Sequence, residues 1–219
     1  MARHGCPRAG RWPVQLRFKT NLTSEQYVSE KTWQEATLER CPLHPYGGCS
    51  LARHGTYERK KPAGTQVTRW YCPEGHTTFS LLPDCLAARL AGSLHDVEVV
   101  VDRVEQADTV EAAADRLRLD IELPGALRWT RRRFQPIHAA LTTLKGLSPE
   151  RFSDCAPTLA SFRQRLGVAA VLPALREIAA VHLAFLLPPL GFRSPPLAGG
   201  EPKRGHQHRT GTDPPSSSQ

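Results

Sequence analysis

CPLHPYGGC at residues 41–49 and CPEGH at residues 72–76 decide how this chain is read. Each stretch opens on Cys-Pro, and 22 residues separate Cys49 from Cys72. A tetrahedral zinc ion needs two ligand pairs that the fold brings together, and paired Cys/His clusters at such separations supply them. Cys41, Cys49, Cys72 and His76 are the expected ligands of one structural zinc. His44, at Cys-x2-His spacing from Cys41, is the alternate to Cys49. Thiolate favours Cys49, with Gly47 and Gly48 letting the backbone turn back. Four protein ligands leave no open position for water, so the site is expected to be structural rather than catalytic.

The sequence between the two stretches has the pattern of a β-hairpin. HGTYERKKPAGTQVTRWYC (54–72) alternates polar and apolar residues on both sides of Lys61-Pro62-Ala63-Gly64, a strong turn. Thr77 to Leu82, rich in β-branched and aromatic side chains, completes a three-stranded zinc ribbon that Pro83 ends.

Upstream, residues 1–22 read as a basic flexible arm. Thr23 and Gln26 form a capping box that opens a helix or strand over residues 23–40. Downstream the chain reads as helical. Ser93 with Asp96 caps a helix over residues 94–106, and Asp108 with Glu111 opens another that ends near Arg118. Pro124 and Gly125 start ALRWTRRRF, which Pro136 kinks or restarts. Residues 84–146 thus resemble a helix-turn-helix, 147–187 hold further helices split by Gly167, and 188–219 form a Pro/Gly/Ser-rich disordered tail. The predicted class is α+β: a small ribbon domain at 41–83, then a mostly α-helical region.

A formal charge of +8, carried largely by arginine, points to a polyanionic partner. Arg128, Arg131 and Arg132 share one helix side, where they can meet phosphates or guanine edges. In the ribbon, Arg59, Lys60, Lys61 and Arg69 interleave with Tyr57, Trp70 and Tyr71, a pattern suited to DNA backbone contact and base stacking. The bland alternatives are a solvated arginine face and aromatics that only fill a small core. No apolar run suits a signal peptide, and Val168 to Leu187 is interrupted by charge, so neither a membrane nor a secreted location is expected. The cytoplasm is. No phosphate loop, nucleophile elbow or HExxH occurs, and Asp84, Asp96 and Asp102 read as a loop residue, a helix cap and an exposed helix position. The expectation is a non-enzyme with no small-molecule substrate.

Residues 41–83 also resemble the N-terminal zinc ribbons of transposases and transposase-associated proteins of bacterial insertion elements. His54-Gly55-Thr56-Tyr57-Glu58-Arg59, Arg69-Trp70-Tyr71-Cys72 and Thr78-Phe79-Ser80 carry the likeness. The usual Cys-x2-Cys knuckles are altered here. The resemblance implies DNA binding as an accessory or regulator of a mobile element, with a transposase as a possible partner and no catalytic core.

Overall fold

The computed structural model describes residues 14–120 and 122–192. The expectations for residues 1–13 and 193–219 lie outside these. The architecture is α+β, with a four-stranded mixed sheet and, among the described residues, seven α-helices.

The hairpin forms as its sequence dictates. Strand β2 (Ala52–Glu58) pairs antiparallel with β3 (Gln66–Cys72), and β3 with β4 (Thr77–Pro83). The ribbon is nonetheless not three-stranded. Val14–Phe18, placed in the flexible arm by sequence, forms β1 and runs parallel to β4, giving the order β1-β4-β3-β2. The alternation Val14, Leu16, Phe18 is what a half-buried strand requires. The 23–40 segment is shorter in helix than expected: α1 (Ser24–Ser29), with the Thr23–Gln26 capping box formed, then a 3-10 turn at Thr32–Gln34.

Strand alternation sorts the sheet into two faces. Trp70 lies opposite Phe79, and Phe79 opposite Val14, so these residues share a face with Cys72. There Cys41, Cys72 and Phe79 form a small core with Leu16, Leu38 and Leu51 packed on it. Val67, Arg69 and Tyr71 point to the opposite face. At its Val67 end that face packs through Leu82, Leu86 and Ala88 onto the helical part.

The helices are α2 (Leu94–Glu105), α3 (Val110–Leu117), α4 (Leu123–Leu147), α5 (Pro149–Phe152), α6 (Leu159–Leu166) and α7 (Val171–Ile178). Ser93, Thr109 and Thr158 each accept an N-cap hydrogen bond, and Gly167 ends α6 at φ 65°, the left-handed cap glycine allows. Leu94, Val97 and Val101 of α2 meet Ile137, Leu141 and Leu144 of α4 and Leu172 and Leu175 of α7 in the main core. The expected helix-turn-helix is not what forms. Helix α4 runs 25 residues straight through Pro136, and its second half is the spine of this core rather than a short, free recognition helix. Helix–helix burial here outweighs the hydrogen bond that Pro136 removes.

The junction between sheet and helices is built by two arginines. Arg176 is fully buried and donates to the carbonyls of Leu190 at 3.0 Å, Asp84 at 2.8 Å, Leu86 at 2.7 Å and Pro189 at 2.6 Å. Arg59 is buried as well and donates to the carbonyls of Ala87 and Leu90. Together they satisfy the loop that leaves β4 and enters α2, where no secondary-structure ladder could. Residues 188–192, placed in the tail by sequence, are part of this packing: Pro189 and Leu190 are buried.

Candidate metal centre

The first knuckle is a tight turn. The His44 N–H donates to the Cys41 carbonyl at 3.0 Å and the Gly47 N–H to the His44 carbonyl at 3.0 Å. Gly47 and Gly48 both take φ near +90°, at 91° and 88°, a region closed to most side chains, and this returns Cys49 to Cys41. The second knuckle follows β3. The Gly75 N–H donates to Cys72 Sγ at 3.3 Å, and Glu74 receives the Ser50 N–H at 3.1 Å, tying the knuckles together.

Cys41, His44, Cys49 and Cys72 present their ligand atoms within 4.8 Å of one another, close enough to hold one metal ion. His44 Nδ1 lies 3.5 Å from Cys41 Sγ and 3.4 Å from Cys72 Sγ. With metal–sulfur and metal–nitrogen distances of about 2.3 and 2.05 Å, a tetrahedron has a sulfur–nitrogen edge of about 3.5 Å. The donor set therefore fits, and three sulfurs with one imidazole nitrogen are a set suited to zinc. Cys41 and Cys72 are buried, whereas His44 and Cys49 form the half-exposed side of the site.

The ligand set differs from the expected one in a single member. His44 and Cys49 do not compete: both belong to the cluster. His76 does not. It sits at φ 45° at the end of the second turn, with Nδ1 3.4 Å from the Tyr71 hydroxyl. Tyr71 and Cys72 are neighbours on a strand and face opposite ways, so a histidine that follows Tyr71 is carried away from the thiols.

Three thiols in one place cannot ionise alike. At Cys41, burial opposes the charge, but hydrogen bonds from His44 and from the backbone outweigh it and lower the pKa to about 7. At Cys72, burial and the neighbouring Cys41 thiol push it up to about 11. Cys49 is raised too, by desolvation and then by Cys41. A bound dication would ease this conflict by favouring the thiolate form at all three, with release of protons and a net charge of about −1 left on the site.

The basic residues divide differently from the sequence expectation. Arg59 is not available to DNA, being buried against backbone carbonyls, and burial lowers its pKa. Lys60 and Lys61 are exposed at the hairpin tip, and Arg69 is half-buried with its guanidinium 5.6 Å from the Tyr57 ring centre. Arg128, Arg131 and Arg132 are exposed along the first half of α4. Arg131 pairs with Glu111 at 3.0 Å, while Arg128 and Arg132 have no acidic partner among the described residues. Behind this ridge, two guanidiniums lie over the Trp129 ring, Arg133 at 3.9 Å and Arg118 at 4.9 Å from its centre. Sequence reasoning missed these contacts, although Arg133 four residues after Trp129 on a helix was a readable signal.

A cleft of about 790 Å³ opens where Thr20, Lys61, Asp84, His95 and Glu177 converge. Its acids are largely engaged: Asp84 receives two hydrogen bonds from Arg17, at 2.8 and 2.9 Å, Glu177 pairs with Lys19 at 2.7 Å, and Asp96 caps α2. Asp102, expected to be exposed, instead pairs with Arg163 at 2.7 Å. No helix among the described residues is long and apolar enough to cross a membrane.

The fold and the site thus define an α+β protein with a cluster of three cysteines and one histidine, at one end of its sheet, that could hold one metal ion. Comparison with known proteins gives no match, either to a protein family, to a curated protein or to a solved structure.

Proposed function

We propose that the protein binds DNA, with one zinc ion holding its sheet and α4 presenting the basic surface. The carrying observation is the pair Arg128 and Arg132, exposed and without an acidic partner among the described residues, on a helix whose far half is locked in the core. Cations on a rigid element release counterions from a phosphate backbone at little ordering cost. Cys41, His44, Cys49 and Cys72 would hold the zinc. With four protein donors it would act as a fold-stabilising cross-link, leaving no position for a reacting water. The resemblance of residues 41–83 to ribbons of insertion-element transposases supports a role as an accessory or regulator of a mobile element. Asp84 and Asp102 are engaged in ion pairs and Asp96 in a helix cap, which favours a role without strand transfer.

The alternative reading, a protein-interaction module that docks a transposase or other partner through the ribbon and the C-terminal helices of residues 157–187, has less to stand on. Leu159, Phe162, Leu172 and Leu175 are already buried in the protein's own core, and of this segment's large apolar residues Val181 and Phe185 are the exposed ones. The test is duplex affinity against salt, measured by fluorescence anisotropy. Replacing Arg128, Arg131 and Arg132 with alanine should flatten the slope of log K against log salt by about 2 to 3, at about 0.9 per phosphate contact. An unchanged slope would remove α4 from the interface, and absence of duplex binding in the wild type would reject the reading.

A further inference from the structure

The sheet face turned away from the metal centre carries a second cluster. Tyr57 lies opposite Val67, Tyr71 opposite Thr78, and Arg69 opposite Ser80, so Tyr57, Arg69, Tyr71, Thr78 and Ser80 all lie on this face. His54, two residues after Ala52, which lies opposite Tyr71, shares this face, with its ring centre 5.6 Å from that of Tyr71. His76, rejected by the metal centre, reaches the same ring from the other side through the Tyr71 hydroxyl. Three properties of this cluster point to a ligand. First, it is cationic without compensation: strand register sends Glu58 to the opposite face, and Glu74 is engaged by the Ser50 N–H. Secondly, its arginine is only loosely held: Nη2 donates to the Thr56 carbonyl at 3.5 Å, the outer limit of a hydrogen bond, and Nε has no partner. A guanidinium so weakly engaged gains from an anion that completes its bonding. Thirdly, its rings lie at either end of the arginine. The Val67 position, opposite Tyr57, and Tyr71 are four residues apart on β3, roughly 13 Å at about 3.3 Å per residue, enough for two bases.

We infer that this face is a binding platform for unpaired nucleotides of single-stranded DNA, separate from the α4 ridge. Bases stack on Tyr71 and Tyr57, and the phosphate between them meets Arg69. Duplex DNA cannot use such a surface, because its bases are stacked on one another and offer only their edges. The inference rests on the DNA-binding reading above but assigns a different surface to a different form of DNA.

The experiment uses the full chain and two labelled probes, an oligothymidylate of about 15 nucleotides and a duplex, each titrated in anisotropy at fixed salt. Tyr71→Ala and Arg69→Gln should each weaken single-strand binding roughly tenfold or more while duplex binding stays at the wild-type value. Tyr71→Phe, which keeps the ring, should bind the single strand nearly as well as wild type, and metal content by native mass spectrometry checks that each variant is folded. Arg128→Ala with Arg132→Ala should do the reverse. Folded Tyr71→Ala and Arg69→Gln proteins with undiminished single-strand affinity would overturn the inference. So would duplex binding with no single-strand binding, which leaves the α4 reading standing. Single-strand binding lost in Tyr71→Ala, with no duplex binding at all, would support the platform and reject the α4 ridge.

Discussion

Removing the His44 imidazole tests the metal centre most directly, because the sequence pattern nominates His76 and the geometry nominates His44. Structural zinc sites contribute apparent binding energies of about 10 to 16 kcal/mol, so one of four donors accounts for about 3 kcal/mol, or roughly a 100-fold change in affinity. His44→Ala should therefore raise the zinc dissociation constant by roughly 100-fold in competition with a chromogenic chelator. Since metal bound to the native state adds directly to stability, the same variant at a fixed, saturating zinc concentration should lose up to about 2.7 kcal/mol in denaturant unfolding. The control is His76→Asn, chosen because asparagine tolerates the φ of 45° found there. It removes only an exposed contact at 3.4 Å to Tyr71 and should change stability by no more than about 0.5 kcal/mol. The sulfur–nitrogen distances of 3.4 and 3.5 Å are the basis of the claim. Zinc retained by His44→Ala but released by His76→Asn would refute it, and would mean that the second turn reorganises around the ion.

Arg176→Met should destabilise the protein by about 4 kcal/mol or more, because four carbonyls would lose their donor in the interior at about 1 to 3 kcal/mol each. A loss below about 1 kcal/mol in urea unfolding would show that water can replace the guanidinium. The second test concerns alkaline pH. Burial pushes the Cys85 thiol from 9.0 up to about 11. An acid whose pKa is raised by folding stays protonated in the native state while the unfolded chain ionises, so stability falls as pH rises from about 9 to 11, by about 2 to 3 kcal/mol. Cys85→Ala should flatten that part of the pH–stability curve, and an unaltered curve would show that the buried thiol does not set it.

How far the sequence could be read depended on the range of the interaction. Capping boxes at Thr23–Gln26 and Ser93–Asp96, the hairpin turn and the Gly167 cap involve residues within a few positions and form, whereas the expected Asp108–Glu111 box does not, because Thr109 caps α3 instead. Strand β1 has the right alternation, but its parallel partner β4 lies more than sixty residues away and leaves no local trace. Likewise the continuity of α4 through Pro136 depends on a core supplied by α2 and α7.

The arginines show most clearly why residue type alone cannot assign a role. Arg59 belongs to a basic run with Lys60 and Lys61, and in sequence all three look equally suited to phosphate. In the fold, Lys60 and Lys61 are exposed while Arg59 turns inward, because the loop 84–92 has carbonyl groups that no ladder satisfies and only a long, multi-donor side chain can reach them. Arg176 serves the same loop from α7 and remains a cation although burial lowers its pKa to about 10. The acceptors are backbone atoms, which carry no residue identity, so no motif could announce them. The consequence for function is a separation of tasks. The inward arginines couple the sheet to the helices, and the outward ones, Arg128 and Arg132, form the surface proposed above to meet DNA. A metal-induced change in the hairpin would therefore reach the helical part through Arg59. His44→Ala should accordingly speed amide hydrogen exchange in the loop 84–92 as well as in the knuckles, whereas exchange confined to the knuckles would show that the two parts are uncoupled.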